Sequence, residues 1–243
     1  MVNFFSAEIR RLFTRVPRIV ALLIIFAITV AVTVFAARIG STGPIDDYAF
    51  MRTAYLLTKV TLVLGVGLTE LFFVYDDGFK ARLYPAMIGS GISRIKALMF
   101  QWLEFVIVTA IDIAIGMVLL IISGVMIGAT FDGVTLYQMF AIGISAVLMV
   151  ALFGSFALIG MTATGSVVLG LVIFIASCIV PPIFMTYVAE FPFQDVVFCT
   201  ALDKVIRQLM NSKVDWMNLC VIAAYMVVSL GVSVALFRKK ELL

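Results

Sequence analysis

Four ionisable residues stand inside long apolar runs of the sequence: Lys59, Glu70, Glu104 and Asp112. A charged side chain in the hydrocarbon core of a membrane is costly, so such residues are usually paired or functional. The chain has no histidine, which excludes Ser–His catalysis, histidine-ligated zinc and the metal-dependent intramembrane proteases. No nucleophile stands beside a base, and we therefore expect a protein that is not an enzyme.

The composition indicates the environment in which these charges lie. Apolar residues make up 64% of the 243 residues and charged residues 13%, whereas globular domains have about 45–50% and about 25%. Such a chain has too little polar surface to remain dissolved in water. The sequence therefore predicts an all-α, polytopic membrane protein with one membrane domain over residues 1–243.

A helix needs about 20 apolar residues to cross a hydrocarbon core roughly 30 Å thick. Six segments meet this requirement, at residues 19–37, 54–74, 97–128, 136–161, 167–189 and 215–237. The break between the fourth and fifth is the weakest, a short polar stretch at 162–166. A cytoplasmic N-terminus places eleven Lys and Arg residues inside and five outside, so the positive-inside rule predicts that both termini are cytoplasmic.

This topology sets the depth of the four charges. Glu70 lies near the cytoplasmic end of the second span, where we expect its carboxylate to snorkel to water. Glu104 could also reach water or could serve a function. At 1.5 Å per residue, Asp112 lies roughly 24 Å above the inner end of span three and Lys59 roughly 10 Å below the outer end of span two. These depths nearly coincide, so we expect Lys59 and Asp112 to pair, whether to gate transport or to hold the bundle together.

Two polar segments have helical rather than irregular patterns. Residues 2–16 place apolar side chains on one face and basic ones on the other, which predicts an interfacial helix on the cytoplasmic surface. Residues 196–210 repeat this pattern within 190–214, a segment expected outside the cell. Before it, Pro181 and Pro182 interrupt the fifth span and predict a kink or a re-entrant turn.

The cytoplasmic loop 75–96 reads YDDGFKARLYPAMIGSGISRIK. With six spans, an interfacial N-terminal helix and a basic end, it resembles the type-2 permeases of ATP-binding-cassette exporters, whose first loop has an acidic pair, glycine and basic residues before Gly-x-Ser-Arg. Phe79 replaces the usual Thr, and Gln101 stands where a Lys is frequent. The matching positions are Asp76, Asp77, Gly78, Lys80, Arg82, Gly91, Ser93 and Arg94, and Phe79 is assigned with them to the coupling surface.

The resemblance implies that this loop is a coupling helix, docked on a separate ATPase subunit that binds ATP and magnesium. The chain itself lacks the G-x-x-x-x-G-K-[ST] loop that cradles phosphates. It also implies a second permease copy or paralogue, a location in the bacterial cell membrane, and export of an antimicrobial peptide, lantibiotic or drug. We expect membrane lipid, and no nucleic acid, among its partners.

Three alternatives remain open from the residues alone. The loop could be an ordinary positive connector with a Gly/Ser turn. The chain could instead be a secondary transporter or channel that uses Lys59, Glu104 and Asp112 for ion coupling. It could also be a membrane anchor or sensor that transports nothing, in which the loop has no docking role.

Overall fold

The structure is a computed structural model, which describes residues 11–39, 50, 53–56, 58–80, 89, 91–188 and 197–239; in residues 39, 59, 76–80, 94, 181–188 and 239 it describes only the backbone. The described chain is helical and contains no strand. Five of its helices are long and apolar enough to cross a membrane. The protein is thus an all-α, multi-pass membrane protein, as the composition predicts.

The N-terminal segment and the first two spans form one side of the bundle. Residues 11–14 are helical, the backbone breaks at Arg15, and helix α1 then extends over Val16–Ile39. The rest of the predicted interfacial helix, residues 2–10, lies outside the described residues. Span two begins as a helix at 53–56, continues as a π-helical segment over Thr58–Val66, and becomes helix α2 over Gly67–Lys80. π-Helices are rare in proteins. Most are single turns within α-helices, and such turns are often found at functional sites.

Helices α3 and α4 are the two longest, with 33 and 32 residues, and each begins at a side-chain cap. Helix α3 covers Arg94–Met126, and helix α4 covers Gly133–Thr164. Asp132 accepts a hydrogen bond from the backbone N–H of Thr135, which satisfies one of the free donors at the start of α4. At 1.5 Å per residue each helix is about 50 Å long, which is more than one perpendicular crossing needs.

Helix α4 ends at Gly165, in the left-handed conformation that glycine adopts without strain (φ 75°). Helix α5 covers Val167–Val188 and folds back against α4. The weak break predicted between spans four and five is therefore real, and only residues 165–166 separate the helices. Helix α4 is also the centre of the bundle, since 72% of its apolar window is buried.

The last two helices complete the bundle. Helix α6 covers Phe198–Met210, and helix α7 covers Trp216–Lys239. The amphipathic pattern predicted α6 correctly, and its apolar face is buried by packing on α4 and α7. Phe198 lies against Phe156 and Tyr225, with ring centroids 5.3 and 5.7 Å away. Phe198, at the start of α6, is thus half-buried between α4 and α7.

Candidate functional site

A buried ionic cluster joins the first three spans. The guanidinium of Arg18 donates from Nε to both carboxylate oxygens of Glu70, at 2.9 Å each, and from Nη2 to Oδ2 of Asp112 at 2.5 Å. The three side chains are only 1%, 0% and 2% exposed. One arginine thus binds two carboxylates from two other helices. We call Arg18, Glu70 and Asp112 the intramembrane triad.

Each triad residue is positioned by a different helix. Arg18 lies in the first turn of α1, directly after Pro17, whose ring is compatible with a helix start. Its Nη1 also reaches the carbonyl oxygen of Leu12 at 3.4 Å, and its guanidinium carbon lies 4.8 Å from the centre of the Phe13 ring. The segment before α1 therefore folds over the arginine and helps to exclude water from it.

The structure gives Asp112 a different partner from the one predicted. Asp112 binds Arg18, whereas the side chain of Lys59 lies outside the described residues. In the backbone register, Leu62 packs against Gly116, so the backbone of Lys59 lies opposite a point about seven residues, or about 10 Å, beyond Asp112. The Lys59–Asp112 pair stays a prediction.

The prediction that Glu70 snorkels to water is wrong. Its carboxylate is completely buried and is held by Arg18. Ten residues of helix follow it, the last of them Lys80, so Glu70 lies about 15 Å from the end of α2. Glu104 is also buried, at 8% exposure, on the same helix as Asp112.

Arg18 is the triad residue that was not predicted from the sequence. It follows three other arginines in the N-terminal stretch and was counted among the cytoplasmic charges. A usable signal was present, because Glu70 and Asp112 each needed a cation and Arg18 directly borders the first apolar run. Moving it into the membrane leaves ten inside charges against five outside, so the positive-inside argument is retained.

Two further contacts bind α2 to α3 beyond the triad. The side-chain amide of Gln101 donates to the carbonyl oxygen of Val74 at 2.7 Å, and both groups are buried. The rings of Tyr75 and Phe105 lie 6.0 Å apart. A hydrogen bond between buried polar groups, away from water, is strong and directional. Helices α2 and α3 therefore form an antiparallel hairpin that is fixed at several levels.

This hairpin extends past the start of α1. Helix α3 begins eighteen residues before Asp112, about 27 Å along the helix, and α2 continues about 15 Å beyond Glu70. Helix α1, by contrast, begins two residues before Arg18. The α2–α3 hairpin therefore extends further than α1 on this side of the bundle, and the predicted coupling loop includes the segment that joins its two helices.

The structure describes part of that loop. Helix α2 continues through residues 75–80, six residues further than the predicted span of 54–74. The side chains of residues 76–80 and of Arg94 lie outside the description, as does all of Arg82. Gly91 has a left-handed backbone (φ 87°), and Ser93 caps α3 by accepting from the N–H of Lys96 at 3.4 Å. The Gly–x–Ser sequence therefore makes the turn that starts α3.

The fifth span does not end at its prolines. The backbone of α5 remains helical through Pro181 and Pro182 to Val188, while their side chains lie outside the described residues. The kink or re-entrant turn stays a prediction.

An apolar cavity of about 480 Å³ lies between the π-helical segment, α4, α5 and α6. Most of its lining is aliphatic or aromatic, as at Val60, Phe153 and Leu202. The ion pair of Asp203 and Arg207, 2.7 Å apart, adds polar groups to the lining. Cavities of roughly 300–1,000 Å³ with few polar groups are typical of small-molecule sites.

Within the described part of the chain, no group of three or more His, Cys, Asp or Glu side chains could hold a metal ion. No known family model matches the sequence, and no curated protein is significantly similar to it.

Proposed function

We propose that this chain is the membrane-spanning permease subunit of an ATP-binding-cassette exporter, powered by a separate ATPase. The observation that carries the proposal is the α2–α3 hairpin, which extends past the start of α1 and bears the acidic pair, the basic residues and the Gly-x-Ser-Arg turn of residues 75–96. A chain without a phosphate-binding loop must receive its energy through such a surface. ATP and magnesium would be bound by the partner subunit.

The triad provides a path from that surface into the bundle. Motion of the hairpin tip would move α2 and α3 together, since Gln101, Tyr75 and the triad hold them at successive levels. Arg18 would carry the motion to α1, because it binds both helices from that span. Coupling of this kind needs a contiguous set of contacts, and here the contacts connect all three spans.

The proposal includes a six-span topology with both termini in the cytoplasm of a bacterial cell. Helix α5, at 22 residues and about 33 Å, supplies the sixth crossing beside the five long apolar helices. A second permease copy or a paralogue would complete the transport path. The apolar cavity, lined also by the Asp203–Arg207 pair, suits an amphipathic cargo such as a peptide or drug.

The alternative of secondary transport has less support. The segment 133–188, which contains α4 and α5, has no Asp, Glu, Lys or Arg, whereas ion-coupled transporters gather polar groups at the interface of two helix repeats. A membrane anchor or sensor that transports nothing would leave residues 75–96 without a docking role. Both alternatives predict that the purified chain carries no ATPase.

Affinity purification from native membranes tests the proposal. The tagged chain should copurify with a subunit that hydrolyses ATP. Both Phe79→Ala and Arg82→Glu should reduce the amount of that subunit recovered, because interfaces depend on a few aromatic and arginine residues. Matched controls are Phe140→Ala, at an exposed apolar position of α4, and Lys213→Glu, an exposed cation beyond α6. If both hairpin variants retain the ATPase at the level of the controls, the coupling surface is not residues 75–96.

A separate experiment tests the topology. A single cysteine introduced at Lys204, in a chain whose own cysteines are replaced, should react with a membrane-impermeant maleimide in intact cells. A cysteine at Lys239 should react only after the cells are permeabilised. Labelling of Lys239 from outside, or protection of Lys204 until lysis, would contradict the six-span arrangement.

A further inference from the structure

We propose that the intramembrane triad is a proton-binding site, in which Glu70 and Asp112 share one bound proton beside Arg18. This site is independent of the proposed ATPase coupling, since it follows from the charges and contacts of three described side chains. Its ligand is the proton itself.

The charge of the cluster is the first argument. One guanidinium and two ionised carboxylates have a net charge of −1, and none of the three side chains is more than 2% exposed. A net charge that is held away from water carries a desolvation cost of several kcal/mol. One proton on either carboxylate makes the cluster neutral and removes that cost.

The second argument is the partner that the two acids share. Glu70 accepts from Nε and Asp112 accepts from Nη2 of the same guanidinium, so the two carboxyl groups lie side by side. Two carboxylates that share one site do not both ionise readily, because like charges at this distance repel. The proton adds to one carboxylate oxygen, and the resulting O–H donates to the other carboxylate.

The third argument is the surroundings of the site. Helices α4 and α5, which pack on α2 and α3, contribute no basic or acidic side chain. On α3 the nearest described acid is Glu104, two turns from Asp112. The half-buried cations Arg11 and Arg15 precede α1, and Lys59 lies about 10 Å beyond Asp112 by register. In the described structure, Arg18 is the cation that directly contacts both carboxyl groups.

Proton binding has a mechanical consequence. With the proton bound, Arg18 and the shared hydrogen bond hold α1, α2 and α3 together in a neutral contact. When the proton leaves to water, the two carboxylates repel, and the contact between α2 and α3 at this level weakens. Folding stability should therefore fall as the pH rises through the range in which the site releases its proton, because the folded state holds more protons than the unfolded state.

Infrared spectroscopy of the purified full-length chain in detergent or nanodiscs tests the site. A protonated carboxylic acid has a C=O stretching band distinct from that of a carboxylate, and the band shifts in D₂O. We expect this band at near-neutral pH in the wild type, and its loss in Glu70→Gln and in Asp112→Asn, because each variant leaves one carboxylate paired with Arg18. The matched control is Glu104→Gln, which removes a buried acid outside the triad and should retain the band.

A wild type without a protonated acid, or a band that disappears only in Glu104→Gln, would overturn the proposal. A second measurement needs no triad variant to fold. Unfolding the wild type at near-neutral pH in weakly buffered solution should release one proton per chain from the site, and Glu104→Gln should still release it. If Glu104→Gln unfolds without proton release, the triad holds no shared proton.

Discussion

The first three spans and the α4–α5 hairpin are held together by different physical means. Helices α1, α2 and α3 meet at buried charges, with Arg18 bound to Glu70 and Asp112. Helices α4 and α5 contain no charged residue and meet at glycines instead. A side chain added at Gly160 would overlap Ile173, and one at Gly170 would overlap Met161, each at 2.4 Å.

The difference shows how one part of a membrane protein can provide stability while another part responds to a change in charge. Lipid is as apolar as leucine, so helices associate through close packing of small residues or through polar contacts. Glycine packing has no dependence on charge, whereas the triad responds to protons and to the loss of a single partner. We infer that α4 and α5 form the fixed part of the bundle and that α1, α2 and α3 form the responsive part.

The largest effect on stability is expected from removing the cation of the triad. Arg18→Leu strands two carboxylates, and loss of one partner of a buried ion pair costs about 3–5 kcal/mol. Unfolding by SDS, followed by helical circular dichroism, measures the change. The triple variant Arg18→Leu, Glu70→Gln, Asp112→Asn should regain most of the loss. Equal stability of Arg18→Leu and the wild type would show that the cluster does not hold the spans together.

A smaller effect is expected from overpacking the contact between α4 and α5, the two helices without charged residues. A Cβ at Gly160 would lie 2.4 Å from the side chain of Ile173, so Gly160→Leu should destabilise the protein by about 1–3 kcal/mol through overpacking. Gly231 has open space around its Cβ position, and Gly231→Leu serves as the control. The Gly160→Leu loss should be independent of pH, unlike any loss that involves the triad. A pH-dependent loss would contradict the division between the two regions.

A change at the tip of the responsive part should cost less. Gly91 has φ 87° and no neighbour near its Cβ position, so Gly91→Ala adds only the strain of a left-handed backbone, roughly 1–2 kcal/mol. Gly89→Ala, also in open space and without positive φ, is the matched control. Thermal unfolding measures both variants. Identical midpoints would show that the turn before α3 is not fixed.

The smallest effect concerns the cap of α4. Hydrogen bonds from the side chain and backbone N–H of Thr135 hold the pKa of Asp132 below its ordinary value. Its stabilising effect is therefore present above the ordinary pKa and is lost as the pH falls through the lowered one. The wild-type midpoint should decrease slightly over that acid range, and Asp132→Asn should lack this decrease. A decrease of the same size in both proteins would assign it to other groups.

The sequence predicted the helical elements better than their contacts. Hydrophobic run lengths located the spans, and helical periodicity located α6, because both depend on local composition. The π-helical segment that contains Lys59 has no such signature, and Arg18, the partner that Asp112 has in the structure, was not predicted. Arg18 was missed because a residue at the edge of an apolar run has two possible environments. Only the packing of residues 11–14 over it shows which applies.

Photo-crosslinking from the hairpin tip tests the central claim most directly. A photoreactive amino acid at Phe79, in cells that express the protein at its native level, should crosslink to a subunit whose sequence contains a phosphate-binding loop, identified by mass spectrometry. The same probe at Val134, an exposed position at the start of α4, should not. If Phe79 gives no crosslink to such a subunit, or gives the same products as Val134, the hairpin is not the surface through which an ATPase drives this protein.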